Sequence, residues 1–175
     1  MSNSYARPIL RTADLAEALA TVARLLEHAD TGELEVDFDA RVPGAEALAP
    51  LVELVPNIDR WPATGGGGEA AVRVQAWGMP PELAGPLLAA VGGAPATLRW
   101  DFAGWLDAPA IGLGRGGSRG SYVTVCLNLR DLDLREPAPD HTVFVHVAHR
   151  EAERAPWLAE QVGLAPIGEL VMAPL

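Results

Sequence analysis

From Leu34 to Ala40 the apolar residues Leu34, Val36, Phe38 and Ala40 alternate with Glu33, Glu35, Asp37 and Asp39. A period of two puts successive side chains on opposite sides of an extended chain, so this stretch is a strand with one buried and one acidic face. Four carboxylates therefore share one side. The preceding segment has a different period: Leu15, Leu19, Val22, Leu26 and Ala29 recur at steps of four and three, one face of a helix. Asp14 and Glu17 stand at capping-box spacing before it, and Gly32 is a natural stop.

Further along, residues 44–55 read as helical but broken, because Pro50 fits the first position of a second turn better than a helix interior. Strands are expected over Val72–Trp77, Thr97–Leu106, Tyr122–Arg130 and Thr142–His149. A proline-opened helix spans Pro81–Val91, a short one opens near Pro156 and ends before Gly163, and Glu169–Ala173 suits an edge strand. Helices mixed with strands at irregular intervals indicate an α+β fold: a two-layer arrangement of a mainly antiparallel sheet with helices packed on one face. The 175 residues fit a single domain, 1–175, with 49% hydrophobic and 21% charged residues as in folded globular chains. The glycine run at residues 64–68 marks a candidate sub-boundary or a long hairpin loop.

Alternation along the strands sorts their side chains. Val72, Val74, Leu98, Trp100, Phe102, Val123, Val125, Leu127, Leu129, Val143, Val145 and Val147 are expected to face the helices. Left for the other face are Arg73, Gln75, Trp77, Arg99, Asp101, Trp105, Tyr122, Thr124, Cys126, Asn128, Arg130, Phe144 and His146. This second set mixes aromatic, hydrogen-bonding and charged groups, as binding surfaces and shallow clefts do. From it Arg73, Trp77, Arg99, Asp101, Tyr122, Asn128, Arg130 and His146 are the candidate ligand-binding residues.

The charge is concentrated. Residues 27–59 hold nine carboxylates (Glu27, Asp30, Glu33, Glu35, Asp37, Asp39, Glu46, Glu53 and Asp59) against Arg41, which accounts for eight of the ten net negative charges. Such a surface favours encounter with a basic partner and speaks against nucleic acid, since the 13 arginines are spread along the chain. No apolar run is long enough to span a membrane, and nothing near the N-terminus reads as a signal peptide. With Cys126 the only cysteine, no intramolecular disulfide is expected, and the cytoplasm is the expected compartment.

Motifs for a reaction are weak. Gly112-Leu113-Gly114-Arg115-Gly116-Gly117 matches the dinucleotide spacing but leads into a strand, whereas the fingerprint needs its glycines to open a helix. A mobile hairpin loop is the expected reading, with Arg115 and Arg119 able to cup an anion as the alternative. His146 and His149 fall on opposite strand faces, and no metal or cofactor is expected. Cys126 and His146 share a face and form a conceivable nucleophile–base pair, with burial of the cysteine as the simpler reading. The sequence therefore points first to an acidic binding protein, of the immunity or inhibitor kind, that neutralises a basic protein through Glu33, Glu35, Asp37, Asp39, Trp61 and Trp105. The alternative is a small enzyme holding an anionic molecule between the polar sheet face and the 112–120 loop.

Overall fold

A computed structural model describes residues 4–63 and 70–173. The chain forms an α+β fold around one antiparallel sheet. Its strands are β1 (Ser4–Thr12), β3 (Glu35–Val42), β4 (Asp59–Pro62), β5 (Val72–Met79), β6 (Ala96–Asp101), β8 (Tyr122–Leu127), β9 (His141–Ala148) and β10 (Val171–Met172), in the spatial order β10-β1-β9-β8-β6-β3-β5-β4. A separate ribbon pairs β2 (Ala29–Asp30) with β7 (Gly104–Trp105). The helices are α1 (Leu15–Leu26), α2 (Ala45–Leu54), α3 (Ala84–Val91) and α4 (Arg154–Gln161). None of these is long and apolar enough to cross a membrane.

All four helices add side chains to one apolar cluster against the same sheet face. Val22 and Leu25 of α1, Leu51 of α2, Leu87 and Leu88 of α3 and Leu158 of α4 meet Val36, Phe38, Val74, Leu98, Trp100, Val123, Val125, Val143, Val145 and Val147. Burial of this area out of water is the main stabilising term, and the strand alternation that supplies it fixes the register. Helix α1 opens at Asp14, whose carboxylate accepts the Ala16 N–H at 2.9 Å. The helix ends at Leu26, before Gly32, and the Glu17 carboxylate accepts from the Thr12 hydroxyl instead of closing a capping box.

Several elements differ from the sequence reading. Helix α2 is continuous through Pro50, because fully buried Leu51 anchors it and only one backbone bond is forfeited. Strand β1 has no clean alternation because its register shifts between Pro8 and Leu10, which lets the consecutive residues Ile9 and Leu10 both pack on the helix side while Ala6 lies on the outer one. The expected strand over residues 97–106 stops at Asp101, and the chain then turns to pair Gly104 and Trp105 with Asp30 and Ala29. Leu129 also changes sides. Asn128 has a positive φ of 51°, so the residue after it joins Ala6, Cys126, Leu134, Phe144 and Ala173 in a small apolar cluster on the outer face. The glycine run at 64–68 lies outside the described residues; the strands that flank it, β4 and β5, pair with each other.

Candidate functional site

Because β3, β5, β6, β8 and β9 are neighbours in register, their outward residues form rows across the sheet. Asp37 lies opposite Arg99, Asp39 opposite both Gln75 and Thr97, Arg99 opposite Thr124, and Trp61 opposite Arg73. The connection between β8 and β9 folds back over the end of these rows, bringing Leu132 and Asp133 against them. The result is a small cavity of about 100 Å³, lined among others by Asp37, Asp39, Arg73, Trp77, Arg99 and His146. Ligand pockets for drug-sized molecules are typically about 300–1,000 Å³, so this cleft suits a group a few atoms across.

The carboxylates of β3 are not a free acidic patch. Asp37 accepts from Arg99 Nη2 at 2.5 Å and from the Gly78 N–H at 2.8 Å. Asp39 takes a bidentate pair from Arg73 at 3.0 and 2.6 Å and a further bond from Gln75 at 2.7 Å. The four carboxylates expected to form one acidic face therefore differ: cross-strand pairing neutralises Asp37 and Asp39, whereas Glu33 and Glu35 are exposed. Cations and rings interleave as well. Arg99 lies 4.5 Å from the Tyr122 ring centroid and 5.9 Å from that of Trp77, and Arg73 lies 5.9 Å from that of Trp61. Trp77 is 52% exposed and Trp61 39%. Burial raises the Asp101 carboxyl above its usual range, with Arg99 opposing.

His146 is fully buried beside the cleft. Its Nε2 is 2.8 Å from the Thr124 hydroxyl, and its Nδ1 has no hydrogen-bond partner among the described residues. Burial, helped by the Arg99 charge, lowers its pKa from 6.5 to about 3, so the ring is neutral. The unfolded chain therefore takes up this proton below pH 6.5 while the folded chain does not until about pH 3, and stability falls as pH falls through that window. At pH 4.5 the loss from this group is about 2–3 kcal/mol. Urea titrations at pH 7 and 4.5 should show His146→Leu to be less acid-sensitive than the parent by that amount; equal acid sensitivity would refute the burial argument.

Other sequence candidates lie elsewhere. Trp105 is a correction: it is fully buried on the helix side, where its Nε1–H donates to the His146 carbonyl at 2.8 Å, so it is no surface anchor. The sequence reading put it outward by extending β6 through the turn at Phe102. Asn128 is corrected too, since its amide donates to the carbonyls of Gly92 and Ala94 at 3.1 Å and holds a turn away from the cleft. Arg130 pairs with Asp140 at 3.3 Å and faces a different groove beside β10. Burial pushes the Cys126 thiol well up and His146 bonds Thr124, so the pair is not arranged as nucleophile and base.

The glycine-rich loop is also not the loosely held connector expected. Gly116 donates its N–H to the Trp105 carbonyl at 2.9 Å, Arg115 pairs with Asp30, and Arg154 Nη2 donates to the Gly114 carbonyl at 2.5 Å. A Cβ on Gly104 would come within 2.1 Å of the Gly116 carbonyl oxygen, so the two backbones touch. No residue of the loop lines the cleft, which separates the two halves of the enzyme reading. Thr97, Leu132 and Asp133 are cleft residues that sequence reasoning missed. Thr97 is marked by strand alternation, whereas the position of Asp133 depends on how the β8–β9 connection folds back. No family model, curated protein or solved structure matches the chain.

Proposed function

We propose that this is a binding protein whose outer sheet face docks a basic protein. The observation that carries the reading is the pair of exposed tryptophans, Trp61 and Trp77, set on either side of an arginine–carboxylate lattice on a chain of net charge −10. Large aromatic rings held at the surface by cross-strand cations are the side chains that dominate binding energy when an interface forms. Exposed Glu33 and Glu35, without an ion-pair partner among the described residues, and Asp59 on the edge strand supply the field that attracts a cationic surface. An immunity- or inhibitor-type role, in which the acidic face blocks a basic toxin or enzyme, fits this surface.

The test spares Asp37 and Asp39, because replacing either would unpair a partly buried arginine and change folding as well as binding. A partner isolated from the native host should associate faster at low salt. Glu33→Gln with Glu35→Gln should slow association severalfold there while leaving dissociation nearly unchanged. Trp61→Ala with Trp77→Ala should instead speed dissociation, weakening binding by more than tenfold, about 1.4 kcal/mol or more. Association independent of salt, together with unchanged affinity in the double tryptophan variant, would remove the proposal.

A further inference from the structure

The cleft beside these tryptophans carries more charge of one sign than its own ion pairs consume. Asp37 is taken by Arg99 and Asp39 by Arg73, whereas Asp133, on the opposite wall, has among the described residues only the exposed Arg135, at 3.9 Å, as an ion-pair partner. Asp133 is near enough to Arg73 that its charge adds to that of Asp39 in holding the guanidinium protonated. Three carboxylates thus face two guanidiniums, a formal excess of one negative charge in a cavity of about 100 Å³.

Independently, the imidazole of His146 lines the same cavity, fully buried, with a nitrogen that nothing in the described residues satisfies. In the tautomer whose Nε2–H donates to the Thr124 hydroxyl, the neutral ring presents a lone pair at Nδ1, an acceptor that calls for a donor. A buried acceptor without a partner costs free energy until one arrives. At the rim the half-exposed Trp77 offers a flat face on the cleft. An excess carboxylate, an unfilled acceptor and an exposed ring are together complementary to a planar, donor-only cation.

We propose that the cleft seats one arginine side chain of the basic partner, its guanidinium stacked on Trp77 and paired with Asp133. This rests on the reading of the outer face as a docking surface for a basic protein, and it names the anchor of that contact. Lysine fits less well, since a compact ammonium neither stacks nor spans two acceptors at once. The small cavity and the pre-formed Asp37–Arg99 and Asp39–Arg73 pairs hold the site rigid before binding.

The proposal is tested by proton–nitrogen NMR of the purified full chain, titrated with the capped tripeptide Gly-Arg-Gly. Gly-Lys-Gly and Gly-citrulline-Gly serve as controls of charge and shape. The arginine peptide should shift the Trp77 indole and the Thr97 and Thr124 amides to saturation, about fivefold or more tighter than the lysine peptide. Citrulline, planar but uncharged, should not saturate them. Asp133→Asn should weaken the arginine peptide about fivefold or more with the spectrum otherwise unchanged, because the ion partner it releases is exposed. Absence of saturation, equal response to citrulline, or indifference to Asp133→Asn would each overturn the arginine seat. The docking reading fails separately, through salt- and tryptophan-independent binding of the whole partner.

Discussion

Replacing Arg154 by Met should destabilise the protein by about 3–5 kcal/mol, the usual consequence of removing one member of a buried, hydrogen-bonded charge pair. The Arg154 side chain has no exposed surface and divides its donors among three acceptors: Glu151 at 3.0 Å, the Leu106 carbonyl at 2.8 Å and the Gly114 carbonyl at 2.5 Å. It thereby ties the start of α4 to the turn after β7 and to the glycine-rich loop. Methionine fills the volume of the stem but leaves the largely buried Glu151 carboxylate with only the exposed Arg150 at 3.9 Å among the described residues, and takes a donor from two carbonyls. Lysine should rescue little, because one ammonium cannot reach three divergent acceptors as the planar fork does. Arg154→Met combined with Glu151→Gln should lose less than the sum of the single changes, since the orphaned charge is then gone. Urea midpoints measure all five proteins, the parent, the three single variants and the double; a lysine variant within about 0.5 kcal/mol of the parent would show that geometry at this site is unimportant.

Neither Arg154 nor its partners can be recognised in the sequence, and the reason is physical. Two of its three acceptors are backbone carbonyls, 48 and 40 residues away, which have no residue-type signature. What the sequence does reveal is periodicity wherever one side of an element is buried. Strands β3, β8 and β9 were legible because Val36 and Phe38, Val123 and Val125, and Val143 and Val145 must all reach the same core. The membership of the outer face followed from the same alternation, so Arg73, Trp77, Arg99 and His146 are brought together as expected. Their pairing did not follow, because which carboxylate meets which arginine depends on the register between strands far apart in sequence. A bulge hid β1, and a positive φ at Asn128 reversed Leu129, since each changes the phase of the pattern without leaving a clear residue signal.

Trp105 is the position where a change of phase has its largest energetic consequence. On a strand continuing unbroken from Thr97 it would point outward, and its truncation would be cheap. In the structure the chain leaves β6 at Asp101, and Trp105 enters the core with no exposed surface, packed edge-on against Phe102 at 4.7 Å between ring centroids. Its indole N–H donates to the His146 carbonyl, and its own carbonyl accepts the Gly116 N–H, so one residue joins β9, the two-stranded ribbon and the glycine-rich loop. Trp105→Ala should therefore cost about 3–5 kcal/mol, at least as much as Trp100→Ala, because a large cavity is left and a buried carbonyl loses its donor. Trp105→Phe separates these two effects: it keeps most of the ring volume, removes the indole donor from the His146 carbonyl, and should cost about 1–3 kcal/mol. Hydrogen exchange should rise across residues 112–120 in the alanine variant, since the loop loses the surface on which Gly116 rests. If Trp105→Ala were instead milder than Trp100→Ala by 2 kcal/mol or more in a urea titration, the strand would run on past Phe102 and Trp105 would belong to the outer face after all.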